Sequence, residues 1–214
     1  MAWSLKGQID YLKGSLATAM QDYDQAVRLV AGWAPFYVAR GLTWDARGDR
    51  DSAIRDYTQA TILQPDLQSA HFLRGVAFFC QGHFAVAAED FAAANRGESD
   101  LHGVLWHYIA RQRAGLSSSK DELAHAATLR KPDAWPMPIF QMFQGQRNPD
   151  AVVAATTDPR QRCEAQFYGG EWQLLQGNRE GAARGFEIAA KSCPSTSLEY
   201  RTAVAELKAI GQPR

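Results

Sequence analysis

Five histidines and three cysteines are the residues from which a catalytic or metal site would have to be built. His102 and His107 lie five positions apart, and helical ligand pairs sit three or four apart so that both reach one face. Cys80, Cys163 and Cys193 form no Cys-x-x-Cys pair, which excludes a zinc ribbon and a thioredoxin-like site. The chain contains no His-Glu-x-x-His, no Gly-x-Ser-x-Gly nucleophile turn and no phosphate-cradling Gly-x-x-x-x-Gly-Lys. These residues predict no catalytic, cofactor or metal site, and the chain reads as a non-enzyme.

Charge gives no other chemistry a foothold. The 214 residues carry 23 Lys+Arg and 23 Asp+Glu, so no bulk field draws nucleic acid or an anionic membrane. The densest basic stretch, Lys120 to Lys131, also holds Asp121 and Glu122. No apolar run approaches the roughly 18–20 residues of a membrane span. The first residues, Met1 to Gly7, carry neither a basic leader nor an apolar core, and read as a helix already under way rather than as a signal peptide.

Self-similarity is the strongest signal. Gly7, Gly41 and Gly75 are 34 apart, as are Gly14, Gly48 and Gly82. Ala19, Ala53 and Ala87 keep the same interval, and so do Ala26, Ala60 and Ala94. Tyr23, Tyr57 and Phe91 follow in register, each preceded by an acid: Asp22, Asp56 and Asp90. A fixed period of this length marks a solenoid of stacked units.

Each unit reads as two helices. Between Ala34 and Ala46 the only breakers are Pro35, tolerated in a first turn, and Gly41. Gly48 ends that helix, and Asp49 to Asp51 suit the start of the next. Ala53, Ile54, Tyr57 and Ala60 then make one apolar face, and Pro65 stops it. Gly41 and Ala53 let the two helices approach, with Tyr37, Trp44 and Tyr57 filling the space around them.

Taken in order, Tyr37, Gly41, Trp44, Ala53, Tyr57, Ala60 and Pro65 resemble the tetratricopeptide repeat (TPR) pattern, with Arg40 and Arg74 at its usual leucine position. His71, Gly75, Phe78, Ala87, Phe91 and Ala94 match it again, which makes His71 a packing residue rather than a ligand. Trp3, Gly7, Ala19, Tyr23 and Ala26 match a third time, and Gly170, Gly177, Ala182, Phe186, Ala189 and Pro194 a fourth. The resemblance implies an all-α solenoid of about six antiparallel hairpins in a right-handed superhelix, closed by a capping helix, and forming a single domain over 1–214.

Within that domain the regular repeats occupy 1–33, 34–67 and 68–101. Degenerate repeats follow over 102–162, with helices over 105–113 and 121–129 joined by Ser117 to Ser119, and a shorter pair over 135–143 and 149–155 around Gly145. Pro132, Pro136 and Pro138 mark the start of that shorter pair. The last repeat spans 163–195 and the cap 196–211, its outer face expected to be polar.

The order of features after the regular repeats is similar to that of NlpI-type TPR lipoproteins of the bacterial envelope. It comprises Trp106-His107-Tyr108, Asp133-Ala134-Trp135 with Gly145 beyond, Phe167 to Glu171, Glu199-Tyr200 and Ala205-Glu206-Leu207. The lipoprotein cysteine near the N-terminus is absent from this sequence. The likeness implies docking of an envelope protease or cell-wall enzyme.

In such a solenoid the first helix of each pair lines a concave groove. Free inner positions run Ser4, Gln8 and Tyr11, then Val38, Leu42 and Asp45, then Phe72, Val76 and Phe79, with Trp106, Ile109 and Arg113 continuing the row. The groove predicted from Tyr11, Val38, Leu42, Phe72, Val76, Phe79, Trp106 and Ile109 suits a protein or peptide with hydrophobic anchors. Phe72, Val76 and Phe79 would serve equally as packing against the next repeat. The carboxylate clamp of chaperone-type TPR domains is missing, its positions being Ser4, Gln8, Ala39, Ser69 and Leu73.

The function expected is therefore a scaffold or adaptor, and the alternative a self-assembling structural subunit. Trp3, Leu5, Ile9 and Leu12 are expected to face water unless a further helix or a second copy, as in a homodimer through the first repeat, covers them. Helices over 162–176 and 179–192 run in opposite directions about Gly177, so Cys163 and Cys193 fall at one end of the hairpin. That placement predicts a disulfide and a periplasmic location, with Cys80 left as a free thiol. Two unbonded buried cysteines in the cytoplasm are the alternative.

Overall fold

The computed structural model describes residues 2–96, 100–116, 120–128, 131 and 134–211. Its helices pair in chain order. Three regular hairpins come first: α1 (Ala2–Leu12) with α2 (Leu16–Leu29), α3 (Ala34–Ala46) with α4 (Arg50–Leu63), and α5 (Gln68–Cys80) with α6 (Phe84–Ala94). Less regular pairs follow, α7 (Leu101–Arg113) with α8 (Lys120–Thr128) and α9 (Met137–Phe143) with α10 (Pro149–Ala154). The last hairpin is α11 (Pro159–Leu175) with α12 (Arg179–Ser192), and α13 (Leu198–Gly211) ends the stack. The predicted turn at Ser117 to Ser119, together with Pro132 and Asp133, lies outside the described residues.

Local chemistry sets these boundaries. Asp49 accepts a hydrogen bond from the Ser52 amide at 3.0 Å and caps α4. Asn148, Asp158 and Asn178 cap α10, α11 and α12 in the same way. The cap at Asp158, with Pro159 in the first turn, starts α11 three residues before the predicted 162. Asp100 likewise starts α7 before the predicted 105. The hairpin turns place glycine in the left-handed region, with φ of +87° at Gly48 and +68° at Gly115, where a side chain would be strained.

Two of the regular hairpins and the last one share a close glycine–aromatic contact. A Cβ built on Gly41 would lie 2.6 Å from the Tyr57 ring. At Gly75 it would lie 2.8 Å from Phe91, and at Gly170 2.6 Å from Phe186. Such separations are well inside van der Waals contact, so only glycine lets the aromatic ring seat on the facing helix.

The largest core cluster lies further along the chain. The Trp106 ring on α7 packs on Phe79 at 5.3 Å, Phe91 at 5.6 Å and Phe167 at 5.3 Å between centroids, joining α5, α6, α7 and α11. α13 packs on α12 as the expected cap and also lies against α5 and α11. Its Arg201, Thr202, Ala203 and Glu206 are buried.

Candidate functional site

The row predicted to line a groove lies on α1, α3, α5 and α7, and the structure divides it by burial. Tyr11, Val38, Leu42 and Phe72 are half-buried. Val76, Phe79, Trp106 and Ile109 are core, each 2% exposed or less. Their assignment to an open groove is corrected by what covers them. Trp106 is enclosed by Phe72, Phe79, Phe91, Phe167 and Tyr168. Phe79 lies beneath Phe84 and the Arg113 guanidinium.

Helix α13 takes the C-terminal ends of the inner helices. Arg201 donates to Asp45 at the end of α3. Cys80 on α5 meets the Thr202 hydroxyl at 3.6 Å, and Arg113 on α7 reaches Glu206 at 3.1 Å. Arg50 donates to the Arg201 carbonyl and lies 3.4 Å from Asp45. A 430 Å³ cleft remains beside α13, lined by Asp49, Arg50, Gln81, Arg113, Glu206 and Lys208.

Arg113 holds two carboxylates, Glu171 at 2.8 Å and Glu206 at 3.1 Å, on three different helices. Burial, with the Glu206 charge adding to it, pushes the Glu171 carboxyl up to about 8 against the pull of Arg113.

A ladder of ion pairs runs through the regular repeats, each basic residue sixteen positions before its acid. Lys6 meets Asp22 at 2.9 Å, Arg40 grips Asp56 at 2.7 and 2.8 Å, and Arg74 grips Asp90 at the same distances. Arg40 also reaches back to Asp24 of the preceding hairpin at 2.9 Å, and Arg74 to Thr61 at 3.0 Å. The 34-residue recurrence of both partners was visible in the sequence; their pairing was not read from it.

Three of the histidines are held by carboxylates. His71 bridges Asp90 and the Pro65 carbonyl, and His107 meets Glu122 at 2.7 Å. His102 is raised above its usual range by its hydrogen bond to Glu164. Glu164, which burial pushes up, is nonetheless held below the usual range by His102 and by the Trp135 indole N–H at 2.6 Å. Among the described residues no group of three or more His, Cys, Asp or Glu is placed to hold a metal.

Cys163 on α11 and Cys193 at the end of α12 are bonded, their Cα atoms 5.1 Å apart and 30 positions apart in the chain. Cys80 is free, and burial raises its thiol to about 11, which leaves it a poor nucleophile.

No protein-family model and no curated protein sequence matches the chain. The fold is matched by solved structures. A tetratricopeptide repeat protein from Parabacteroides merdae aligns at a TM-score of 0.62 and 19% identity, covering 96% of this chain and 83% of that one. Pseudomonas aeruginosa pilF aligns at 0.57 and 15% identity, covering 96% of each. The chain has the all-α TPR solenoid fold. Among the described residues no helix is long and apolar enough to cross a membrane.

Proposed function

We propose that the chain is a non-enzymatic scaffold that docks partner proteins on the N-terminal half of its concave face. One observation carries this reading. Tyr11, Val38, Leu42 and Phe72 are only partly buried on successive helices, although Val38 and Phe72 also pack on the core, while the rest of the row is packed over. A short apolar strip of this kind suits an extended or helical segment with two or three hydrophobic anchors. Envelope proteases and cell-wall enzymes are the partners the NlpI-type likeness suggests. The disulfide supports a periplasmic location, since such bonds persist in oxidising compartments.

The self-assembling alternative is less well supported. Open-ended stacking needs an apolar edge at both ends, and the exposed residues of α13 are Val204, Lys208, Ala209 and Gly211, with one large apolar side chain among them. Leu42→Asp should abolish partner capture and leave thermal melting unchanged. Phe79→Ser should lower the melting temperature, because Phe79 is core. Unimpaired capture by Leu42→Asp would remove the proposed strip.

A further inference from the structure

Asp45, Phe79 and Arg113 are one register position repeated at steps of 34 on α3, α5 and α7. Helix α13 lies along all three. Its Arg201 meets Asp45, its Thr202 meets Cys80 beside Phe79, and its Glu206 meets Arg113. One helix thus reads the same position on three successive repeats, as a bound helix would.

The seat is polar and incompletely matched. Arg40 and Arg74 each grip both oxygens of their aspartates. Arg201 donates to Asp45 Oδ2 alone and turns its Nε to the Ser197 carbonyl. Asp45 Oδ1 and Arg50 Nε, 3.4 Å apart, are buried without a hydrogen-bond partner, and so is Glu171 Oε1. Clefts of 430 and 420 Å³ adjoin α13, and both are lined by Arg113, Glu206 and Ala209. The joint before α13 is anchored on its own. Cys193 at the end of α12 is bonded to Cys163 on α11, so the base of segment 194–197 stays held when α13 moves.

We propose that the Asp45, Cys80 and Arg113 row is a helix-docking site, which α13 occupies in the free chain and yields to an amphipathic helix of a partner protein. That helix carries an arginine for both Asp45 oxygens and, about five positions on, an acid for Arg113. Apolar side chains take the registers of Leu207 and Ile210, which pack on the core. Charge sets its direction, base toward α3 and carboxylate toward α7. The α13 of a second copy brings no contact that the resident helix lacks, and the resident helix has the advantage of its tether. Displacement therefore calls for a helix that satisfies what Arg201 leaves open. The site does not use Val38, Leu42 or Phe72, so it and the apolar strip can fail separately.

Two measurements on the full chain test this. In native-state hydrogen exchange of the unaltered chain, 198–211 should open while α11 and α12 stay protected. Exchange of 198–211 only on unfolding of the whole chain would overturn the proposal. The second measurement titrates a labelled peptide of the α13 sequence, Leu198 to Gly211, by anisotropy. Arg201→Ser with Glu206→Ser loosens the resident helix, and that chain should bind the peptide at least tenfold more tightly than the unaltered chain. Adding Asp45→Ala should cancel the gain, with the melting of each chain followed separately. Equal affinity of the unaltered and loosened chains, no saturable binding by either, or a gain that survives Asp45→Ala would overturn the proposal. So would an unaltered chain that sediments as a dimer and becomes monomeric on Arg201→Ser, which would give the site to the α13 of a second copy.

Discussion

Arg201 and Asp45, 156 positions apart in the chain, form a buried ion pair that fixes α13 across the end of α3. Their side chains are 7% and 6% exposed, so neither charge has water to fall back on if its partner is removed. The two ends of the pair differ. Asp45 also has Arg50 at 3.4 Å, whereas among the described residues the Arg201 side chain otherwise has only the Ser197 carbonyl. Asp45→Ala is therefore predicted to cost about 3–5 kcal/mol in denaturant unfolding, the range for stranding a buried charge, and Arg201→Ala less. Hydrogen exchange over 198–211 should accelerate in both. An equal or reversed order would place the charge balance elsewhere.

The Arg113 cluster gives a pH dependence with a defined sign. Glu171 is raised in the folded state, from an ordinary 4.5 to about 8, so the folded chain holds this proton more tightly than the unfolded one. Its contribution to stability therefore falls as pH rises across that window. Glu171→Gln mimics the protonated form and keeps an acceptor for Arg113. The variant should match the unaltered chain near pH 5 and exceed it at pH 8.5 in urea unfolding. A variant less stable than the parent at both pH values would contradict the assignment.

Removing the Cys163–Cys193 bond by a double change to Ser should cost about 2–4 kcal/mol, the usual value for a loop of this size. Peptide mass spectrometry without reduction should find the cross-link and leave Cys80 as a free thiol. Free thiols at Cys163 and Cys193 in protein isolated from its native compartment would oppose both the bond and the periplasmic location.

The helix pairs were legible because their signals are local and periodic. Gly41 against Tyr57 and Gly75 against Phe91 are each set by two residues a fixed step apart, and the step recurs. The disulfide followed from the same logic, since antiparallel helices about Gly177 return Cys193 to Cys163. The filling of the concave face had no such signal. Arg201 and Glu206 look like solvated charges on an amphipathic cap, and their partners Asp45 and Arg113 lie 156 and 93 positions away. Phe79 and Trp106 carry the composition of a groove and of a core alike. Only the position of α11 and α13 decides between them.

Site-specific photo-crosslinking in the native cell tests the scaffold reading most directly. A photoreactive phenylalanine at Leu42, on the half-exposed concave strip, is compared with one at Ile62, which is 65% exposed on α4. The account predicts a discrete protein adduct from position 42, lost when Tyr11 and Val38 are changed to Ser, and none from position 62. No adduct from position 42, or the same adducts from both positions, would contradict it.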